Sequence, residues 1–210
     1  MHTIDPHGWT ILDGDAGYGI EQSIRTTTVA QGPVDKYVKH KKCAIEIGVH
    51  YGFTTRWLCS KFDIVHTFDL DNSVLECFEI NMKKFNCKNV ISHKHGLGSQ
   101  NQTIDYPYRK KGEQYPAGWD YSQNKTRFIA QKQIVKKLDE FNLAPNFVII
   151  DAEGYGEQIM QGALQTFVKH KPVTVCKLDG AVNVLENKLG YTQVTKVTKN
   201  DVLCIHKEQS

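Results

Sequence analysis

No stretch of the chain approaches the ~18 consecutive apolar residues that a membrane-spanning helix requires. Cys-x-x-Cys pairs are missing too: Cys43, Cys59, Cys77, Cys87, Cys176 and Cys204 stand far apart, several inside expected strands or helices. There a free thiol behaves as a small apolar side chain, and a reducing, cytoplasmic setting is expected. Excess charge of one sign is scarce. The formal net charge of +3 comes from scattered lysines, and the densest basic cluster, Arg109-Lys110-Lys111, is short. Nucleic-acid domains concentrate basic residues on one face, so no nucleic-acid partner is expected, and the cluster reads as a solvated loop. Met1-His2-Thr3-Ile4-Asp5-Pro6 has no basic segment followed by an apolar one, so no secretion signal is expected. With 210 residues, 40% apolar and 23% charged, the chain suits one globular domain with a sizeable core.

Residues 1–32 are rich in Gly, Asp and Thr and weakly periodic; they read as a leader that packs over the domain or covers its site. The domain proper runs over 33–210, and Pro33 opens a short helical stretch from Val34 to His40. Cys43 to Gly48 is a buried strand ending in glycine. Gly52 to Lys61 follows as a helix with Phe53, Trp57 and Leu58 at helical spacing. Ile64 to Phe68 is a second strand. A helix capped by Asn72 or Ser73 then runs to about Phe85, with Val74, Phe78 and Met82 along one face. Asn89 to His95 forms a third strand. Over 96–128 the periodicity fails while Tyr106, Tyr108, Tyr115, Trp119 and Tyr121 crowd together, which reads as a long loop on the substrate side. Thr126 to Val135 fits strand or helix, and Lys136 to Phe141 fits a helix. Asn146 to Ile150 is the clearest strand and ends at Asp151. A helix from about Glu157 to His170, a strand from Val173 to Leu178 and a helix from Val182 to Lys188 follow. The chain closes on a hairpin of Tyr191–Val197 and Val202–His206.

Such alternation implies a doubly wound, mainly parallel α/β sheet with helices on both faces and a C-terminal antiparallel hairpin. Ligands of these sheets bind beyond the carboxyl ends of the strands, where strand order reverses. Attention therefore falls on Gly48, Asp69, His95, Asp151 and Asp179.

Glu46-Ile47-Gly48-Val49-His50-Tyr51-Gly52 sets two glycines around a strand-to-helix turn. Gly48 permits a tight turn and close approach to a ligand, and Gly52 lets the helix begin near the sheet. A dinucleotide site would carry G-x-G-x-x-G so that pyrophosphate rests on the helix N-terminus. Here Val49 and His50 replace the further glycines, and Glu46 places an acid in the strand. An acid repels pyrophosphate but suits the cationic amino-acid portion of S-adenosylmethionine. Asp69 ends the next strand at about the 20-residue spacing at which an acid meets a ribose, while Asp71 suits capping of the following helix.

Through these residues the chain resembles the class I methyltransferases, and within them the FkbM family, from about Cys43 to Leu178. Glu46-x-Gly48-x-x-x-Gly52 resembles the first motif and Phe68-Asp69 the second; Asn81 and Asn86 are similar to asparagines common there. Ile150-Asp151-Ala152-Glu153-Gly154, followed by Gly162-Ala163 and Pro172, is similar to the I-D-x-E-G signature, with Lys137-Leu138-Asp139 upstream. The resemblance implies a Rossmann-like, seven-stranded sheet whose last hairpin adds an antiparallel strand. It also implies S-adenosylmethionine as cofactor and methylation of a hydroxyl on a sugar or other small molecule. Expected to line the cofactor are Glu46, Gly48, His50, Tyr51, Gly52, Asp69, Leu70, His95, Gly96 and Asp151. Departures from the family stand at Ile149, Gly156 and Lys177, where relatives often carry Lys, an acid and Glu.

A hydroxyl acceptor benefits from a base, and Asp151 and Glu153 are the expected catalytic pair, sharing a face if the strand stays extended there. No metal is expected, although Asp151 and Asp179, ending neighbouring strands, offer oxygen ligands of the kind Mg²⁺ takes. His93 and His95 alternate along the third strand and so would face one side of the sheet, His95-Gly96 near the adenine edge. Two alternatives stay open: a nucleoside-binding module that has lost catalysis, and an NAD-dependent oxidoreductase.

Overall fold

The computed structural model describes residues 2–13, 27–107, 130–152 and 154–209. Two short strands, β1 (His2–Ile4) and β2 (Thr10–Leu12), pair antiparallel. A π-helical turn over Thr27–Gln31 leads into α1 (Gly32–Tyr37). Every residue of β3 (Cys43–Ile47) is buried, as a strand covered on both faces requires. The alternation continues through α2 (Phe53–Cys59), β4 (Ile64–Phe68), α3 (Asn72–Lys84) and β5 (Val90–His93). Three further strands, β6 (Gly96–Leu97), β7 (Gln102–Pro107) and β8 (Ala130–Lys136), form a small separate sheet. Then come a 3-10 turn at Leu138–Phe141, β9 (Phe147–Ile150), α4 (Gly156–Gln161) and α5 (Leu164–His170). The last elements are β10 (Val173–Lys177), α6 (Gly180–Leu189), β11 (Tyr191–Lys196) and β12 (Asp201–His206).

Seven strands make the main sheet, in the order β11-β12-β10-β9-β3-β4-β5. Neighbours from β5 through β10 run parallel, while β12 is antiparallel to both β10 and β11. The doubly wound sheet with its closing antiparallel hairpin is therefore present as expected. Strand alternation divides the core in two. Ile45, Ile47, Val148, Ile150 and Cys176 face α4, α5 and α6 through Ile159, Met160, Phe167 and Leu185. Ala44, Phe147, Ile149, Val173 and Val175 face the other way, against Val34, Val38, Leu58 and Phe62. Each fully buried aliphatic or Phe side chain contributes about 1.5–3 kcal/mol. Among the described residues no helix is long and apolar enough to cross a membrane.

Four expectations need correction. The helix after β4 is capped by Asp71, as its place suggests, and not by Asn72 or Ser73: its backbone is still extended and its carboxylate accepts from Ser73 N at 3.0 Å. The single helix expected over 157–170 is two helices. A Cβ on Gly162 would stand 2.0 Å from the Gly98 carbonyl oxygen, so the chain presses on the small sheet there and breaks. The Asp139 carboxylate then restarts it, accepting from Thr166 N at 2.8 Å and Gln165 N at 3.1 Å. The 96–128 loop begins as strand: half-buried Gln102, Ile104 and Tyr106 alternate with exposed Thr103 and Asp105, and their partners lie in 130–136. Only two of those five residues are apolar, so the alternation is faint in sequence. Tyr108, Arg109, Lys110, Lys111, Tyr115, Trp119 and Tyr121 lie outside the described residues. Finally, the third strand stops at His93, so His95 is not on it.

The leader residues 2–12 pack on α3. Trp9 and Ile11 join Phe53, Val74, Leu75, Phe78 and Met82 in a third apolar cluster. Asn81, wholly buried on α3, fastens them: its side-chain oxygen accepts from Thr10 N at 2.8 Å, and its amide donates to Thr10 O at 2.9 Å.

Candidate functional site

Strand order reverses between β3 and β9, and their carboxyl ends nearly touch. Asp151 N donates to Ile47 O at 2.8 Å, and Gly48 N turns aside to Phe68 O at 2.9 Å. Gly48 has φ +83°, and a Cβ there would lie 2.1 Å from the Asp151 carbonyl oxygen. Only glycine fits. Gly52, at φ +89°, brings α2 against α3, where a Cβ would sit 2.4 Å from Met82 Cε. Between them His50 takes φ +50°, a left-handed conformation costing roughly 1–2 kcal/mol in a non-glycine residue.

The strain at His50 is held by Asp69. One Asp69 carboxylate oxygen accepts from Val49 N at 3.0 Å and His50 N at 3.2 Å; the other accepts from Leu70 N at 2.7 Å and Asp71 N at 3.0 Å. Four main-chain amides thus converge on one carboxylate at the carboxyl edge. Burial nevertheless pushes the Asp69 acid up to about 6, the Asp71 charge adding to the shift and the amide hydrogen bonds opposing it. The amides that an anionic phosphate would use at this turn are already donated to a side chain of the protein.

Glu46 and Tyr51 lie under the turn rather than on its rim. Glu46 is 4% exposed and accepts from Thr55 Oγ1 at 2.5 Å, tying β3 to α2. The Tyr51 ring is wholly buried in the cluster beneath the N-terminal strands; its hydroxyl accepts from Leu12 N at 3.2 Å and its carbonyl from Asn81 Nδ2 at 3.0 Å. The His50 ring packs edge-on against Tyr51, centroids 3.9 Å apart.

Beyond β5 the chain brings His95, Gly96 and Leu70 together. A Cβ on Gly96 would stand 2.4 Å from Leu70 Cδ2 and 3.2 Å from Val135 Cγ2. His95 Nδ1 is buried with no hydrogen-bond partner among the described residues. Behind it is a pair that sequence reasoning did not find. His66 Nδ1 lies 3.0 Å from His93 Nε2, and the His93 ring stacks on Phe68 with centroids 4.4 Å apart. Burial and the charges of His66, His95 and Lys136 push His93 down to about 4, and burial lowers His66, so both rings are neutral at pH 7. The available signal was their placement on strands paired as neighbours.

On the opposite side of the reversal stands Asp151, the expected base. Lys177 Nζ, at the end of β10, lies 3.1 Å from Asp151 Oδ1 and 3.6 Å from Asp201 Oδ1. Asp179, the expected alternative metal ligand, caps α6 by accepting from Ala181 N at 2.8 Å. Among the described residues no group of three or more His, Cys, Asp and Glu side chains gathers as a metal site. Glu153 lies outside the described residues. The structure therefore gathers Gly48, His50, Gly52, Asp69 and Leu70 at one turn, with His95-Gly96 and Asp151 flanking it.

The chain matches no protein-family model and no curated protein in sequence. Its fold is that of the class I methyltransferases. It is similar to a methyltransferase FkbM from Methylobacillus flagellatus KT, with TM-score 0.61 and 16% identity over 86% of this chain and 47% of that one. The chain thus spans about half the length of that protein. It is also similar to precorrin-6y C5,15-methyltransferase from Geobacter metallireducens GS-15, with TM-score 0.51 and 14% identity over 97% and 96% of the two chains. A third likeness is to ribosomal protein L11 methylase from Lactobacillus delbrueckii subsp. bulgaricus, with TM-score 0.51 and 10% identity over 87% and 79%.

Proposed function

We propose that the chain is an S-adenosylmethionine-dependent methyltransferase acting on a hydroxyl of a sugar or other small molecule. The observation that carries this reading is the filled anion site. Val49 N and His50 N donate to the Asp69 carboxylate, and Glu46 lies buried behind the same turn. Two acids at the strand reversal oppose a pyrophosphate and favour a cationic nucleoside, which sets S-adenosylmethionine above NAD.

His95 Nδ1, which has no partner among the described residues, supports the fit, since a buried imidazole nitrogen is costly until a ligand polar atom reaches it. Asp69 faces the ribose hydroxyls while it keeps the Val49 and His50 amides, so the turn stays closed to a phosphate. Leu70 and Gly96 border the base, and Gly48 lets the ligand approach the backbone. Glu46 lies as a buried acid behind the amino-acid end. Asp151 receives the acceptor's hydroxyl proton on its carboxylate. When bound, the cofactor supplies an electrophilic methyl group on a sulfonium, so the enzyme's main task is alignment.

The ion pair between Lys177 and Asp151 favours one other reading, a nucleoside-binding module whose would-be base is engaged. Incubation with methyl-labelled S-adenosylmethionine and panels of sugars, small phenols and peptides separates the two. Label in hydroxyl compounds is expected. Tight cofactor binding with no label anywhere supports the binding module.

A further inference from the structure

Three strand ends meet at Lys177. It is the last residue of β10, and in the antiparallel register it faces Asp201, the first residue of β12. On its other side β9 runs parallel and delivers Asp151. The side chains are withdrawn from water: Lys177 is 16% exposed, Asp151 21% and Asp201 4%. Asp201 is itself held, its second oxygen accepting from Thr198 Oγ1 at 2.5 Å and its amide donating to Thr198 Oγ1 at 3.0 Å. An ammonium held this way is a fixed charge rather than a wandering surface lysine. The two carboxylates offset the desolvation of such a group.

We propose that Lys177 is the built-in cation of the acceptor end of the pocket, fixed by Asp201 as a positioning residue, and that it selects an oxygen acceptor. This rests on the methyltransferase reading above. A hydroxyl entering against Asp151 donates its proton to the carboxylate and presents its lone pairs to the ammonium beyond. Both contacts are favourable for an alcohol or phenol. A protonated amine offers the carboxylate the same donors but brings a second positive charge within a few ångströms of Lys177 in a site of low dielectric. A divalent cation at Asp151 meets the same repulsion, so the ammonium does at this mouth the charge stabilisation that a metal supplies elsewhere. The departure from the family at position 177 then changes acceptor chemistry without removing function.

Calorimetric titration of the full chain tests this without knowing the acceptor. Three ligands differ only at the reacting end: S-adenosylmethionine with its sulfonium methyl, neutral S-adenosylhomocysteine, and the analogue carrying an amine in place of the methyl-sulfonium. The wild type is expected to bind the amine analogue more weakly than S-adenosylhomocysteine. Lys177→Met shifts the ratio of affinities toward the two cationic ligands by about tenfold, the effect of removing a nearby like charge. Asp201→Asn shifts it the other way, by about threefold, since Lys177 is then less compensated. A purely structural role changes all three affinities together and leaves the ratios alone. Lys177→Arg keeps the charge and the wild-type ratios. If Lys177→Met does not fold, Lys177→Gln, whose amide still donates to both acids, carries the same comparison. Ratios unmoved within twofold in the Lys177 and Asp201 variants overturn the proposal. A wild type that binds none of the three ligands overturns the methyltransferase reading itself.

Discussion

At Gly48 the backbone has φ +83°, and an added Cβ would meet the Asp151 carbonyl oxygen at 2.1 Å. Gly48→Ala is expected to cost about 3 kcal/mol or more, since the clash is with the Asp151 backbone, which cannot swing aside as a side chain can, and the left-handed φ adds strain. Urea denaturation of the variant checks this, and a loss under about 0.5 kcal/mol contradicts it. Asp69 offers a second check. Its folded acid is raised to about 6, by burial first and then the Asp71 charge, against the His50, Leu70 and Asp71 amides. The folded state therefore holds its proton more tightly than the unfolded chain, whose Asp titrates near ~3.9. Asp69 thus contributes stability that is full below about pH 4 and lost as the pH rises through about 6. On the proposed reading, nucleoside affinity is expected to run oppositely, weakening below about pH 6 as the carboxylate is protonated. Unfolding midpoints from pH 4 to 7 in wild type and Asp69→Asn isolate the first trend, because the variant lacks that part of the slope. The spacing of Asp69 after Glu46 was readable in the sequence. That its oxygens are shared among four amides was not, since main-chain direction at a turn is set by packing. Lys177 was visible as an odd residue, but its partners come from strands joined only by the sheet.

Elements show the same division. Strands buried on both faces announce themselves as apolar runs, unbroken in β9 and interrupted in β3 only by Glu46, and the closing hairpin by its alternation. β7 does not, because only Ile104 and Tyr106 of its half-buried face are apolar and its partner strand is remote in the chain. The break between α4 and α5 was hidden because Gly162-Ala163 is compatible with helix until Gly98 is placed against it. Asp139→Ala removes the carboxylate that caps α5 and is expected to cost about 1 kcal/mol, read from thermal unfolding. The leader reads in sequence as packing over the domain or covering its site; what fastens residues 2–12 is Asn81, which bonds Thr10 from α3 and donates as well to the Tyr51 carbonyl. Asn81→Leu removes the partner of Thr10 N and Thr10 O in a buried place, a loss of about 3–5 kcal/mol. Hydrogen exchange should show the Thr10 amide losing protection first. An equally protected Thr10 in that variant would mean that apolar packing of Trp9 and Ile11 alone holds these strands.

For the molecule as a whole, the sheet order places an antiparallel β12 between β10 and β11, where a dinucleotide-binding sheet of the order 3-2-1-4-5-6 stays parallel. That topology was foreshadowed by strand–helix alternation and by the resemblance of the Gly48 and Asp151 motifs. Which ligand the sheet holds depends on charges that meet only after folding, Asp69 with the Val49 and His50 amides and Asp151 with Lys177. Sulfonium nucleoside and pyrophosphate make opposite demands on that turn, so paired calorimetry with S-adenosylmethionine and with NAD reads the central claim directly. Micromolar or tighter binding of S-adenosylmethionine, no heat with NAD, and at least a tenfold loss in Asp69→Ala are expected. Binding of NAD alone, or an Asp69→Ala protein that holds the sulfonium nucleoside as well as wild type, contradicts the account.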